Sequence, residues 1–340
     1  MMNKPISILT SCFLILACAQ RPTEPPVERV QFLMDTLARI TVFDQTKKTT
    51  VIDSAIDAAF EVMSRIEQET SVHIDSSIVS EIIRQAGKQS VPVTSAVEAV
   101  LRQALVISEE TGGAFDVTIG VVKALWRFDA ASPAIPQSDR IHEALSHVDY
   151  RCIVLRDGEV MLSDPCMRID LGGIAKGYAI DEGVRVLQEA GIKAGIVEAG
   201  GDLCIWGRHP QRDMWRIGIR HPRADAATLW AALQTGEVSV TTSGDYERYF
   251  EVEGKRYHHI LDPLTGFPAF GCVSVTVVTE RAMAADAYAT ALFVMGPDAG
   301  MMLVEETADV EAIFLYEIDG ALQYRISSGL QDALEIFEVE

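Results

Sequence analysis

The sequence predicts an α+β fold with substantial antiparallel β-sheet and flanking helices. Short strand-like runs cluster in the second half of the chain, while helical stripes come early or singly. The two do not alternate as regular βαβ winding requires. Size and composition agree with a packed body. The chain has 340 residues, 48% of them hydrophobic and 23% charged, which suffices for a real core and excludes wholesale disorder. At roughly 100–200 residues per domain, that length allows one large domain or two small ones.

The elements follow in order. Lys4 precedes an apolar run from Ile6 to Ala17, too short for a bilayer span of about 20 residues and suited to a secretory signal. It closes on Ile15-Leu16-Ala17-Cys18, which resembles a bacterial lipobox and makes Cys18 the expected lipidated first residue of the mature chain. Residues 1–17 are then the signal and 18–29 a polar, Pro-containing tether. Residues 30–43 read as a strand, with alternation through Ile40 and Val42. Ile52, Ile56, Ala59, Met63 and Ile66 form a helical stripe over 51–67, and Val97, Val100, Leu101, Ala104 and Ile107 repeat it over 93–110 with Thr94 or Ser95 as cap. A glycine-containing segment, 111–120, follows. A hairpin over 152–162 turns on Asp157-Gly158, which places Cys152 opposite Ser163 rather than Cys166. A helix spans 174–190 and stops at Gly191. Strands are expected at 196–197, 215–220, 238–242, 257–260 and 273–278, then an Ala-rich helix over 282–295. Four cysteines belong to the mature chain, Cys152, Cys166, Cys204 and Cys272. None has CxxC spacing, which argues against a zinc knuckle, and mainly buried free thiols are expected.

Charge narrows the functions. With 29 Lys and Arg against 49 Asp and Glu, the net charge is −20, which argues against a general nucleic-acid binder. A phosphate-bearing ligand would need local positive charge or a metal ion. Six segments carry candidate chemistry. In residues 168–177 a strand ends near Asp170, Gly172 and Gly173 follow, and a helix starts with Lys176 in its first turn. Glycines admit close approach, and a helix N-terminus offers free N–H groups and partial positive charge to phosphate. Asp286 and Thr290 are i and i+4 on one helix face among small side chains, a carboxylate and hydroxyl suited to a hard cation such as Mg²⁺. Residues 241–250 hold Ser243-Gly244-Asp245. Residues 257–266 hold His258 and His259 before Asp262-Pro263; His259 is the candidate general base, His258 a structural histidine, and Asp245 a reserve base. Gly112-Gly113-Ala114-Phe115-Asp116 and Glu198-Ala199-Gly200-Gly201-Asp202 are two further glycine turns. Singly, each is a weak signal: residues 168–177 fit an ordinary strand-to-helix turn equally well, and Asp286 with Thr290 fits a helix-start acid and a buried Thr better.

Together and in this order, the strings DLGGIAKGYAID, TSGDYERYF, HHILDPLTG and ADAYATA resemble the ApbE family, the FAD:protein FMN transferases, from about Met34 to Met295. The resemblance implies a single domain over 30–340 and Mg²⁺-dependent transfer of FMN from FAD to a Thr or Ser hydroxyl of an acceptor flavoprotein, releasing AMP. By position it implies FAD contacts at Met34, Ala114, Phe115, Asp116, Asp170 and Lys176. Mg²⁺ would be held by Asp286 and Thr290 with the backbone of Gly173, and Met283 as a further backbone contact. His259 would assist the transfer. The chain departs from the pattern at Ile66, where members often carry an aromatic residue, and at Val117, where a Pro is common. With the lipobox, the resemblance implies an envelope lipoprotein facing the periplasm. Alternatives are an FAD pyrophosphatase with water as acceptor, and a flavin-binding lipoprotein without catalysis.

Overall fold

The structure, a computed structural model, describes residues 25–44, 46–128, 133–225 and 227–337. The expected signal segment and Cys18 lie outside these residues. In place of the single strand predicted over 30–43, the chain opens with an antiparallel hairpin, β1 (Val27–Leu33) and β2 (Thr36–Val42). Met34 and Asp35 make its two-residue turn in left-handed conformation, at φ +54° and +59°. Neither is Gly or Asn, so the usual composition signal for such a turn is missing from the sequence.

The predicted stripes hold. In α1 (Thr49–Thr70) all five stripe residues are buried. After α2 (Ile78–Arg84) and β3 (Val91–Pro92), α3 (Ser95–Glu110) starts with the Thr94 hydroxyl accepting the Val97 N–H at 3.4 Å. It ends in a Schellman turn: Gly112 is left-handed at φ +60°, and the Gly113 and Gly112 N–H groups donate to the Ser108 and Glu109 carbonyls at 2.8 and 3.1 Å. Two short helices, α4 (Gly120–Trp126) and α5 (Ser138–Leu145), precede the hairpin of β4 (Ile153–Arg156) and β5 (Glu159–Leu162). That hairpin turns on Asp157-Gly158, and the Ser163 N–H donates to the Cys152 carbonyl at 3.0 Å, as the register predicts. Then come α6 (Ala175–Glu189), β6 (Gly195–Ala199), β7 (Asp202–Trp206), β8 (Trp215–Arg220), β9 (Leu229–Thr235), β10 (Ser239–Gly244), β11 (Tyr249–Val252), β12 (Lys255–His258) and β13 (Ser274–Thr279). The Ala-rich helix, α7 (Ala282–Glu306), runs past its predicted end through a break at Gly296, φ +78°, ahead of Pro297. Strands β14 (Val310–Ile318), β15 (Ala321–Ile326) and β16 (Leu334–Ile336) finish the chain.

Eight strands form one sheet in the order β1-β2-β6-β7-β10-β13-β14-β15, every pair antiparallel. Helices α1, α6 and α7 pack on it along the main core, which includes Met63, Ile180, Val197, Val275 and Phe293. A second core, with Trp230 and Leu233 of β9 against Val240, Val278 and Ile313, covers the other face. Strand β13 is therefore buried on both sides at all six positions, which explains its almost unbroken Val and Thr content. A third cluster joins Trp126, Ile141, Phe250 and Leu261; the Trp126 indole donates to the Gly266 carbonyl at 2.9 Å and so ties α4 to the loop after β12. All four described cysteines are free. Cys204 and Cys272 are buried as expected, whereas Cys152 is half-buried and Cys166 exposed, because the turn after β5 leaves Cys166 at the surface.

Helices α6 and α7 meet most closely at their first turns. A Cβ on Gly177 would lie 2.1 Å from the Ala282 carbonyl oxygen. In an open helix Gly→Ala gains about 1 kcal/mol of propensity, but here backbone must move, and overpacking costs about 1–3 kcal/mol. Gly177→Ala is accordingly expected to lower the urea midpoint of unfolding; a raised midpoint would show that the two helices do not touch there.

Candidate functional site

The site grows from the strand-to-helix turn at 170–177. The Asp170 N–H donates to the Val117 carbonyl at 2.7 Å, and Ile119 bridges to Arg168, so the segment after α3 lies along this turn. Gly172 and Gly173 then face two different groups. A Cβ on Gly172 would approach the Lys123 ammonium at 3.4 Å, and one on Gly173 would lie 3.1 Å from Thr290 Oγ1 and 3.4 Å from the Phe115 ring. Both glycines are needed for closeness to side chains rather than for a turn.

On the Gly173 side, Lys176 Nζ lies 2.9 Å from Asp202 Oδ2 and 3.2 Å from Asp286 Oδ1, with both carboxylates buried. The Gly177 N–H donates to Asp286 Oδ2 at 3.1 Å. No side chain caps the N-terminus of α6; its first turn is instead met by Asp286 from α7. Desolvation opposes the Lys176 ammonium, but Asp202 and Asp286 outweigh it and hold its pKa above the ordinary lysine value. Burial, with Asp286 nearby, pushes Asp202 up to about 7 against the pull of Lys176. Thr290 Oγ1 stands one turn along α7, 3.5 Å from Ser243 Oγ and beside Gly173, while Asp286 meets Lys176 and Gly177. The start of α7 is held by Asp181, whose carboxylate accepts the Ala282 and Met283 N–H groups at 2.8 and 3.2 Å.

On the Gly172 side, Asp170 Oδ2 pairs with Lys123 Nζ at 2.9 Å and Oδ1 accepts the Gly172 N–H at 2.9 Å. Desolvation would raise the Asp170 carboxyl, but Lys123 and this N–H keep it below its usual range. His259 is half-buried. Its backbone N–H donates to the Arg248 carbonyl at 3.0 Å, and Nδ1 lies 3.3 Å from the same oxygen. Only a protonated Nδ1 can donate there, which leaves Nε2 with a free lone pair. Desolvation, then the charges of Lys123, His258 and Arg248, pushes the imidazole down to about 3, so its base form dominates at neutral pH. His258 is the structural histidine expected: buried, with Nε2 2.9 Å from the Ala269 carbonyl, Nδ1 accepting the Ile260 N–H, and its ring edge-on to Phe293.

The remaining sequence-predicted residues are placed as follows. Phe115 is buried beside Gly173, and Ala114 is half-buried in the same loop. Asp116 Oδ1 accepts the Thr118 N–H and hydroxyl at 2.8 and 2.6 Å, and Oδ2 accepts the Tyr150 N–H at 2.9 Å, so its carboxylate organises the loop from within. A cleft of about 240 Å³ opens between Gly112, Gly113, Asp149, Tyr150 and Leu264. Met34 is half-buried at the β1–β2 turn; its N–H donates to Glu67 at 2.9 Å, while Asp35 pairs with Arg248, the residue that holds His259. Ile66 lies in the core of α1. Asp245 is no reserve base: Arg223 binds both of its oxygens at 2.7 Å and Arg256 adds a third contact at 3.3 Å, leaving its carboxylate committed.

Three residues of the site escape sequence reasoning. Asp202 sits in a glycine turn that is noticeable, but nothing local says that its carboxylate meets Lys176. Lys123 lies in none of the segments that the sequence singles out. Ser243 becomes relevant only because β10 runs beside α7.

The arrangement has known counterparts. The ApbE family profile matches residues 34–314. The FAD:protein FMN transferase of Treponema pallidum is 32% identical over 338 residues, covering 95% of this chain and 92% of that protein. A Klebsiella pneumoniae protein of the same name is 34% identical over 259 residues, 75% of this chain and 80% of its own. Among solved structures, the ApbE protein of Thermotoga maritima has a TM-score of 0.82 at 35% identity, covering 91% of this chain and 99% of that one. The flavin transferase ApbE from Vibrio cholerae has a TM-score of 0.80 at 27% identity, covering 91% and 100%. By the extent of the profile match and by relatives of this identity and coverage, the chain belongs to the ApbE family.

Proposed function

We propose that this chain is an FAD:protein FMN transferase that moves FMN from FAD, with Mg²⁺, onto a Thr or Ser hydroxyl of an acceptor protein and releases AMP. One observation carries the reading: residues 173–177, Asp286, Thr290 and Asp202 converge on one place lined by oxygens and balanced by a single ammonium. Relatives that share the family and the fold are named FAD:protein FMN transferase or flavin transferase.

The donor set fits a hard cation. Asp286 supplies a carboxylate and Thr290 a hydroxyl, and the Gly173 backbone lies so close to Thr290 that any side chain there would fill the space between them. Asp286, Thr290 and the backbone of Gly173, with that of Met283, would hold Mg²⁺, which when bound neutralises charge on the pyrophosphate. Lys176 binds the phosphate oxygens of FAD, beside a first turn of α6 whose Gly177 N–H is already taken by Asp286. The glycine turn at 112–116 and the Met34 turn, tied through Asp35 to Arg248, flank the flavin nucleotide. His259 Nε2 takes the proton of the acceptor hydroxyl as its oxygen bonds to the phosphorus of the FMN half. The bond from that phosphorus to the bridging oxygen breaks, and the electron pair leaves with AMP. Nδ1–H, donated to the Arg248 carbonyl, keeps the tautomer that leaves the Nε2 lone pair free.

At the envelope, the lipobox ending at Cys18 supports a lipid-anchored, periplasm-facing location. Cys18→Ala is expected to move the protein from the membrane to the soluble periplasmic fraction with FMN transfer intact. Continued partition into detergent would overturn the lipobox reading.

Asp286→Ala is expected to abolish Mg²⁺-dependent release of AMP while far-UV circular dichroism stays native, because a hard-cation site has few charged ligands to lose. Full turnover at low Mg²⁺ would remove Asp286 from the metal.

His259→Asn is expected to slow transfer to a Thr-bearing acceptor by roughly 10²–10⁴-fold with FAD affinity, read by fluorescence quenching, little changed. Because the imidazole is already neutral, the wild-type rate should show no acid limb near the ordinary histidine value of about 6.5. FAD binding lost in proportion to rate would make His259 a positioning residue, and unchanged transfer would take it out of the mechanism.

A further inference from the structure

A second cluster of ligand-type side chains lies away from the site above, where the turn after α5 meets the turn after β5. His147, Asp164 and Cys166 each present one ligand atom, and these atoms lie within 4.8 Å of one another. His147 Nδ1 is 2.6 Å from Asp164 Oδ2. Asp164 Oδ1 accepts the Cys166 N–H at 2.7 Å, and the Asp164 carbonyl accepts the Met167 N–H at 3.2 Å, so the turn is braced and Oδ2 is aimed at the histidine. The Cys166 thiol is exposed and free, and the other two side chains are half-buried.

We propose that His147, Asp164 and Cys166 form a binding site for a divalent d-block cation of the Zn²⁺ class, separate from the hard-cation site at Asp286 and Thr290. Donor chemistry separates the two. A thiolate with an imidazole favours borderline-soft metals, whereas carboxylate, hydroxyl and carbonyl oxygens favour Mg²⁺. On binding, the Cys166 thiol releases its proton to solvent. The cation takes the place of the hydrogen bond between His147 Nδ1 and Asp164 Oδ2; the imidazole then carries its one proton on Nε2, exchanged through solvent, and the contact opens from 2.6 Å to about 3.3 Å, the separation that two bonds of about 2.0 Å impose at a tetrahedral angle. Neutral imidazole, carboxylate and thiolate together carry two negative charges, which the cation cancels. The Cys166 N–H on Oδ1 orients the ligating carboxylate from outside the metal's own shell. Three protein ligands leave the fourth tetrahedral position to water.

The test is titration of the reduced full-length protein with Co²⁺ in saturating Mg²⁺, followed by absorption. Only a thiolate ligand gives sulfur-to-cobalt charge transfer, so cobalt entering the oxygen-lined site stays silent in that band. The band is expected to saturate at one equivalent, to be displaced by Zn²⁺, and to be lost in both Cys166→Ser and His147→Ala. In parallel, Zn²⁺ should protect Cys166 from alkylation read by mass spectrometry. FMN transfer by Cys166→Ser in Mg²⁺ alone is expected to match wild type. No charge-transfer band in the wild type, or a band that survives in either variant, would overturn the site.

Discussion

The first turns of α6 and α7 touch, and the site depends on that contact. Gly177 has no side chain, so the Ala282 carbonyl comes within reach of its Cα. At that distance the Asp286 carboxylate accepts the Gly177 N–H, and the Asp181 carboxylate accepts the first N–H groups of α7. Each helix thus satisfies the other's orphan donors with an acid, and neither uses the Ser or Asn cap of an isolated helix. The arrangement fixes the relative rotation of α6 and α7, and with it the direction in which Asp286 and Thr290 point. The sheet beneath supports the contact: β10 and β13 lie under α7, and β6 and β7 under α6.

Charge balance follows from the same geometry. Two buried carboxylates would repel each other strongly in a medium of low dielectric. Lys176 stands between them and removes much of that repulsion. Around Gly172 the pattern repeats with one acid and one base, Asp170 and Lys123. In a chain of net charge −20, both of these ammonium groups are already paired with carboxylates, Lys176 with two and Lys123 with one. They are placed by helix starts and glycine turns rather than by a basic surface patch.

The neighbouring histidines show how burial separates identical residues. His258 points into the core and spends both ring nitrogens on backbone partners. His259 points the other way; only Nδ1 is engaged, so one lone pair remains for chemistry. The Arg248 that holds His259 also pairs with Asp35 at the tip of the first hairpin. His259, the Met34 turn and the start of the sheet are therefore connected through one residue, Arg248, whose carbonyl meets His259 and whose guanidinium meets Asp35. Arg223 and Arg256, clamped on Asp245, keep the intervening segment in place.

Local chemistry was enough to read much of this from the sequence. The stripes of α1 and α3 follow from the 3.6-residue period, the end of α6 from Gly191, the Asp157-Gly158 hairpin from its turn residues, and the Asp286 and Thr290 pair from i, i+4 spacing on one helix. The order of the glycine and histidine strings carried the family. What local patterns do not encode is which separate segments meet. The Met34-Asp35 turn is left-handed without a glycine signal, since tertiary contacts at Glu67 and Arg248 hold it. Asp202 and Lys123 have no neighbours in sequence that mark them; they acquire roles because β7 runs under α6 and α4 packs beside the Asp170 turn. The same holds for Asp245, a plausible base in a string of residues and a committed ion-pair partner once Arg223 arrives from 22 positions upstream. The sequence by itself determined the element types and the ligand-bearing strings, because these rest on contacts within a few residues. Only the tertiary structure decided which charges are paired, because pairing depends on distances across the sheet and between helices that no local period specifies.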